Sequence, residues 1–375
     1  METSSAAERT GQAIIRLCHA GLDSATLRIE TIKRLRTVVP VDVSFFATAD
    51  PATLLFTGVT VDDVLASAQA QFLVNEFLQD DVNKFTRLAR GSSPVGWLSD
   101  ATRQDLVQSA RYRDILADLA LGDELRAALV VGGACWGFLC LHRERSSPHF
   151  TPAEATFLAR LAPHLAEGLR TALLLGNATV PQAPDPPGLL LLADDLALMA
   201  TTPAAERWLV EVAAQDWPRG FELPPAVYAV ATRLLALERL GNVLPGLMPR
   251  ARLRTASGQW LVLHASRLAG AAIREQIAVI FEVARPAEIT PLIVQAYDLS
   301  KREGEITQCV ARGLSTTEIA GQLHISANTV QDHLKAIFDK VGVHSRRELV
   351  GQLFAQQYQP HIAAGSGLDA DGWFG

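Results

Sequence analysis

The chain has 375 residues, is 49% hydrophobic and 20% charged, and carries a formal net charge of -6. That length points to two or three domains with proper cores. The charge excludes a basic surface that coats nucleic acid, so any DNA footprint must be local. Four cysteines, Cys18, Cys135, Cys140 and Cys309, form no regular framework, which points to a reducing compartment. The start, METSSAAERT, lacks the basic and apolar regions of a signal peptide, and no apolar run approaches 18 residues. A cytoplasmic location and no membrane partner are therefore expected.

In chain order, residues 1–10 are expected to fray. Gln12 to Val39 reads as helix, interrupted at Gly21-Leu22-Asp23. Val41–Thr48 and Thr53–Thr57 read as strands, followed by helical stretches Val61–Ser67 and Ala70–Arg90. Pro94 to Leu98 is a loop or short strand, and Asp105–Leu119 is helical. The clearest hairpin runs from Glu124 to Arg143, with Gly132-Gly133 as a turn of positive φ. Residues 151–175 form an amphipathic helix that Thr151 caps, with Pro152 at its first position and Leu158, Leu161, Leu165 and Leu169 inward.

A Pro-rich linker, residues 176–187, follows. Beyond it, Leu189–Leu192 and Ala197–Ala200 flank a turn at Asp194-Asp195. Helices start at Pro203 and Pro225, a hairpin spans Arg250–Leu268, and a strand runs from Glu275 to Ala284. A connecting helix covers residues 287–298.

The last segment is the most informative. Ser300/Glu303 and Ser315/Glu318 are two Ser-x-x-Glu capping boxes, and Ser326 is a third N-cap. Gly313 and Gly342 stop helices. Val330, Leu334, Ile337, Phe338 and Val341 give a buried stripe. Arg346 starts a fourth helix with Leu349, Val350, Leu353 and Phe354 inward. Two short capped helices joined by a tight turn describe a helix-turn-helix. Asn328, Gln331, Asp332 and Lys335 lie at i, i+3, i+4 and i+7, so they share the face opposite the stripe. An amide, a carboxylate and an amine suit base edges in a major groove. Ser315, Thr316, Ser326, Thr329, Lys340, Arg346 and Arg347 suit phosphate oxygens. The tail, 359–375, reads as flexible.

This run resembles the DNA-binding domain of LuxR/NarL-type regulators. Matching positions include Leu299-Ser300, Arg302-Glu303, Gly313-Leu314-Ser315, Glu318-Ile319-Ala320, Ile325-Ser326, Thr329-Val330, His333-Leu334, Lys340 and Ser345-Arg346. The resemblance implies that the third helix enters the major groove and the fourth pairs two subunits. It departs from the family at Gln331-Asp332, where a Lys is frequent after the Thr-Val pair. LRAALVVGGACWGFLCLHRE followed by FTPAEATFLARLAPHLAEGLR resembles a GAF domain, and the strand and helix order of 188–286 resembles a PAS domain.

The expected fold is multidomain. Two α+β antiparallel-sheet sensor domains, GAF-like (1–175) and PAS-like (188–286), precede an all-α four-helix HTH domain (299–358). The expected function is a dimeric, sequence-specific transcription regulator whose sensors bind a ligand or partner and control presentation of the HTH. Partners are double-stranded DNA, a second copy, a small molecule and RNA polymerase. The competing reading is a scaffold that uses the HTH for protein docking.

No Ser/His/Asp group, phosphate loop, paired carboxylate or phospho-receiver pattern suggests an enzyme, and no cofactor or metal is expected. Period-2 alternation puts Cys140 and His142 on one strand face and Cys135 on the other, more in keeping with packed thiols than with a metal site. Trp97 and Trp136 are candidate ligand-pocket residues. Asn83-Lys84-Phe85 lacks the acidic pair of a cyclic-nucleotide signature.

Overall fold

The computed structural model describes residues 2–175, 186–216, 222–240, 248–268 and 276–351. The tail, most of the linker, and Leu353 and Phe354 lie outside the described residues. The chain divides into two compact units. One contains both sheets; the other contains the helices after residue 283.

The first unit opens with α1 (Glu2–Cys18) and α2 (Ser24–Leu35), separated at the expected break. Residues 2–10 are helical, contrary to the expected fraying. Helix α1 packs on the long helix Pro152–Leu175 and buries Ile14 completely, which ties this end down. Strands β1 (Val43–Ala49) and β2 (Phe56–Val61) follow, then α3 (Asp63–Ala66), α4 (Gln69–Leu78) and α5 (Phe85–Arg90). The helix expected over 70–90 is thus broken in two. Lys84 turns inward and donates to the carbonyls of Asn75 and Gln79, and Asn83 takes φ 52°.

Strand β3 (Val95–Trp97) and α6 (Leu98–Ala101) come next. Between 105 and 119 the expected single helix is reduced to a 3₁₀ turn (Leu106–Gln108) and a short helical stretch over 110–116, π-type from Tyr112 to Leu116. Here the backbone places Arg111 against buried carboxylates, and that tertiary contact overrides local propensity.

The hairpin β4 (Leu121–Val131) and β5 (Ala134–Glu144) turns at Gly132 (φ 59°) and Gly133 (φ 75°), as the sequence requires. Helix α7 (Pro152–Leu175) buries Leu158, Leu161, Leu165 and Leu169 against it. The sheet order is β2-β1-β5-β4-β3, with every pairing antiparallel.

The second sheet has β6 (Gly188–Ala193), β7 (Leu198–Thr201), α8 (Pro203–Asp216), α9 (Pro225–Leu240), β8 (Arg250–Arg254), β9 (Trp260–Arg267) and β10 (Gln276–Val283). Its order, β7-β6-β10-β9-β8, repeats that of the first sheet. The two sheet domains share one buried cluster, in which Phe56 and Phe138 join Trp208 and Phe281. Asp50 locks them together: its carboxylate accepts from Arg252 Nε (2.9 Å) and Nη2 (2.6 Å).

The second unit contains α10 (Pro286–Ala296), α11 (Lys301–Ala311), α12 (Thr316–Leu323), α13 (Ala327–Val341) and α14 (Arg346–Val350). Helix α13 packs on both α11 and α12, and α14 packs on α11. Two antiparallel sheets with flanking helices, followed by a helical C-terminal region, are the architecture that the sequence led us to expect.

Candidate functional site

The helix starts of the C-terminal unit are as the sequence predicted. Ser300 accepts from Glu303 N (3.3 Å), and the Glu303 carboxylate accepts in return from Ser300 N (2.6 Å). Ser315 and Glu318 repeat that reciprocal pair at 3.3 and 2.7 Å. Ser326 accepts from Thr329 N at 3.0 Å. Each box satisfies donors that a helix start leaves open. His324 ends α12 in the left-handed region (φ 54°), which turns the chain sharply into α13. Gly342 (φ 74°) ends α13.

Helix α13 buries Val330, Leu334, Ile337 and Val341 and exposes Asn328, Gln331, Asp332 and Lys335. Its amphipathicity therefore separates a packed side from an open polar one. Of the expected phosphate ligands, Ser315, Ser326 and Arg347 are exposed, and Thr316 and Thr329 are half-buried. Two of the expected cations already have protein partners. Lys340 Nζ lies 2.8 Å from Glu303 Oε2 and 3.0 Å from the Asp298 carbonyl. Arg346 Nη2 donates to the Leu314 carbonyl.

A second site lies in the first sheet. A cavity of about 60 Å³ lies among Phe45, Phe56, Phe72, Phe85, His142 and Pro225, with further lining side chains. Neither Trp97 nor Trp136 lines it. A register shift between Leu129 and Val130, opposite Trp136, is a β-bulge. It reverses the alternation, so Cys135 joins Phe138 and Cys140 in one core cluster. The expectation that Cys135 lies on the face opposite Cys140 is corrected by that single extra residue. Trp136 is 3% exposed and therefore packed.

In the cavity wall and behind it lies an ion network that sequence reasoning missed. Arg111 Nη2 is 2.6 Å from Glu124 Oε2, and Arg126 bridges Glu124 (3.0 Å) and Glu76 (2.8 Å). Burial alone would raise the Glu124 carboxyl's pKa, but the two guanidiniums hold it well below the usual range. The available signal was Glu124 and Arg126, two opposite charges two residues apart on one face of a strand whose following residues are all apolar.

Cys140 Sγ sits 3.3 Å from Glu124 Oε1 and 3.2 Å from His142 Nε2. Burial raises the Cys140 thiol well above its ordinary value and pulls His142 down to about 4. Both are therefore neutral near pH 7. The three side chains lie close enough to hold a metal ion. However, Glu124's oxygens are already bonded to two guanidiniums, which disfavour an added cation.

The luxR family model of bacterial regulatory proteins matches residues 298–352, and the GAF domain model matches 22–169. The chain carries a LuxR-family helix-turn-helix domain and a GAF domain. The chain is 40% identical over 63 residues to the HTH-type transcriptional activator RamA of Corynebacterium glutamicum, covering 16% of this chain and 22% of RamA. It is 34% identical over 67 residues to the HTH-type transcriptional regulator MalT of Serratia proteamaculans, covering 18% of this chain and 7% of MalT.

The chain therefore matches only a minor part of these relatives' length. Among solved structures, Escherichia coli SdiA shares 13% identity at a TM-score of 0.31, covering 92% of this chain and 96% of SdiA. The phage VqmA–DPO complex shares 16% at a TM-score of 0.17, covering 51% and 89%. Likeness that loose fixes nothing further about the GAF domain or the LuxR-family domain. Among the described residues, no helix is long and apolar enough to cross a membrane.

Proposed function

We infer that this protein is a cytoplasmic, dimeric, sequence-specific transcription regulator and not an enzyme. The observation that carries the reading is the open side of α13. Asn328, Gln331, Asp332 and Lys335 stand exposed together, opposite the buried Val330, Leu334, Ile337 and Val341; Phe338, expected in that stripe, is half-buried. Asn and Gln suit adenine, a carboxylate suits cytosine N4, and Lys suits guanine. Ser315, Thr316, Ser326, Thr329, Arg346, Arg347 and Lys340 flank it as phosphate ligands, with Arg347 the most available cation.

Charge supports the dimer. Lys301, Arg302, Arg312, Lys335, Lys340, Arg346 and Arg347 are offset by Asp298, Glu303, Glu305, Glu318, Asp332, Asp339 and Glu348. A neutral module attracts phosphate weakly, so two copies on half-sites about one helical turn apart give useful affinity. The GAF domain and the second sheet, which we read as PAS-like because it repeats the same strand order, bind a ligand or partner. Binding shifts the population in which both recognition helices fit their half-sites, and RNA polymerase is the downstream partner.

The test is a footprint of the purified protein on DNA flanking its own gene. Two protected half-sites about a turn apart are expected. Absence of any protected sequence contradicts the reading.

A further inference from the structure

The cavity in the GAF domain has features that specify its occupant. Its wall is mostly apolar, with Phe45, Phe56, Phe72 and Phe85 as its aromatic part, and it also contains the charged Glu76, Glu124 and Arg126. Its charges are spent. Glu124 is paired with Arg111 and Arg126, and Glu76 with Arg126, so no spare counter-charge remains for an ionic ligand. A charged ligand would be buried beside that closed network without a partner.

Yet among the buried uncharged side chains of the wall one polar atom has no hydrogen-bond partner. His142 is 1% exposed, its Nε2 meets Cys140 Sγ at 3.2 Å, and its Nδ1 has no hydrogen-bond partner. Depending on the tautomer, Nδ1 is an N–H or a bare lone pair. A hydroxyl satisfies either, because it both donates and accepts. Gln69 also lines the cavity, and its amide makes no hydrogen bond within the described residues. At roughly 10–15 Å³ of such space per water, 60 Å³ holds about four to six waters, which sets the scale at a single ring. One wall residue comes from the other sheet domain: Pro225, the first residue of α9, lines the same cavity. Helix α9 also packs on α4 and β2.

We propose that this cavity binds a compact, uncharged, hydroxyl-bearing ring compound of the phenol class, with the hydroxyl on His142 Nδ1 and the ring among the phenylalanines. Pro225 closes the cavity from the second sheet domain, so occupancy alters how that domain seats on the first. The proposal rests on reading the N-terminal unit as a sensor and names what it senses.

The experiment is calorimetric titration of the full-length protein with p-cresol, toluene and benzoate. p-Cresol should saturate one site per chain. Toluene should bind about tenfold more weakly, the worth of one buried hydrogen bond, and benzoate more weakly still. His142→Phe should equalise p-cresol and toluene, Val59→Trp should fill the cavity and abolish binding, and Pro225→Ala should weaken binding from outside the GAF domain. Circular dichroism checks that each variant is folded.

The proposal is overturned if none of the three compounds binds at millimolar concentration or if benzoate binds tightest. It is also overturned if binding requires zinc and is lost to a chelator, which would make the Glu124, Cys140 and His142 group a metal site. DNA binding is titrated separately without ligand. DNA binding without p-cresol binding removes only this inference, whereas p-cresol binding without DNA binding removes only the regulator reading.

Discussion

Lys340, in the last turn of α13, holds Glu303, the capping residue of α11, at 2.8 Å. One pair thus fastens α13 to the start of the helix it packs on. Burial works to raise the pKa of Glu303's carboxyl, but the bonds from Lys340 and Ser300 outweigh it and lower it overall. A lowered folded-state value stabilises at neutral pH, and that stability is lost as pH falls through it. Lys340→Met should cost no more than about 1 kcal/mol, because the lysine is 39% exposed. It should also flatten the acid limb of the stability curve. Denaturant unfolding at neutral and acidic pH measures both; an unchanged acid limb would mean that the pair does not control Glu303.

Arg111 has the opposite environment. It is fully buried and spans Glu124, Asn75 and the Val82 carbonyl. Arg111→Met removes one of the two guanidiniums on Glu124 and the buried cation beside Asp81, at about 3–5 kcal/mol. Urea unfolding should show that loss, and a change below 1 kcal/mol would mean that the network relaxes freely.

His142 gives the GAF domain an acid limit. Burial lowers it to about 4 from an ordinary value near 6.5. The unfolded chain therefore takes up a proton that the folded one refuses. Stability should fall as pH drops from about 6.5 towards 4, by of order 3 kcal/mol if no other group compensates. His142→Phe should remove that decline. Thermal melts across this range decide; a parallel decline in the variant would assign the effect to other groups.

His324 turns the helix-turn-helix with a side chain at φ 54°. Non-glycine residues in that region cost roughly 1 kcal/mol. His324→Gly should raise the midpoint of denaturant unfolding slightly; a lower midpoint would show that the imidazole makes up for the strain.

How far the sequence could be read depended on whether the deciding contact was local. Ser300/Glu303, Ser315/Glu318 and Ser326 set helix starts within four residues, so every one of those starts was legible. So was the Gly132-Gly133 turn. The segment 105–119 was not, because its form follows Arg111 reaching Glu124 on another element. Cys135 was misplaced because one extra residue at Trp136 reverses a strand's faces, and composition does not announce a bulge. The cavity was sought at Trp97 and Trp136 on the assumption that large aromatics line sites. It lies instead among phenylalanines from four elements, over a buried ion network. On the open side of α13 the structure exposes all four residues chosen from spacing, since helical periodicity alone decides which face is buried.

The central claim is that this open side reads DNA while nearby cations hold the backbone. The most direct measurement is a salt titration of operator affinity for the wild type, Lys335→Ala and Arg347→Ala. The account predicts a steep fall in wild-type affinity with salt. Lys335→Ala should weaken the specific site by about 1–3 kcal/mol and relax one base position. Arg347→Ala should weaken all sequences alike and reduce the salt slope by about one. Affinity indifferent to salt, with both variants matching the wild type on every duplex, would contradict it.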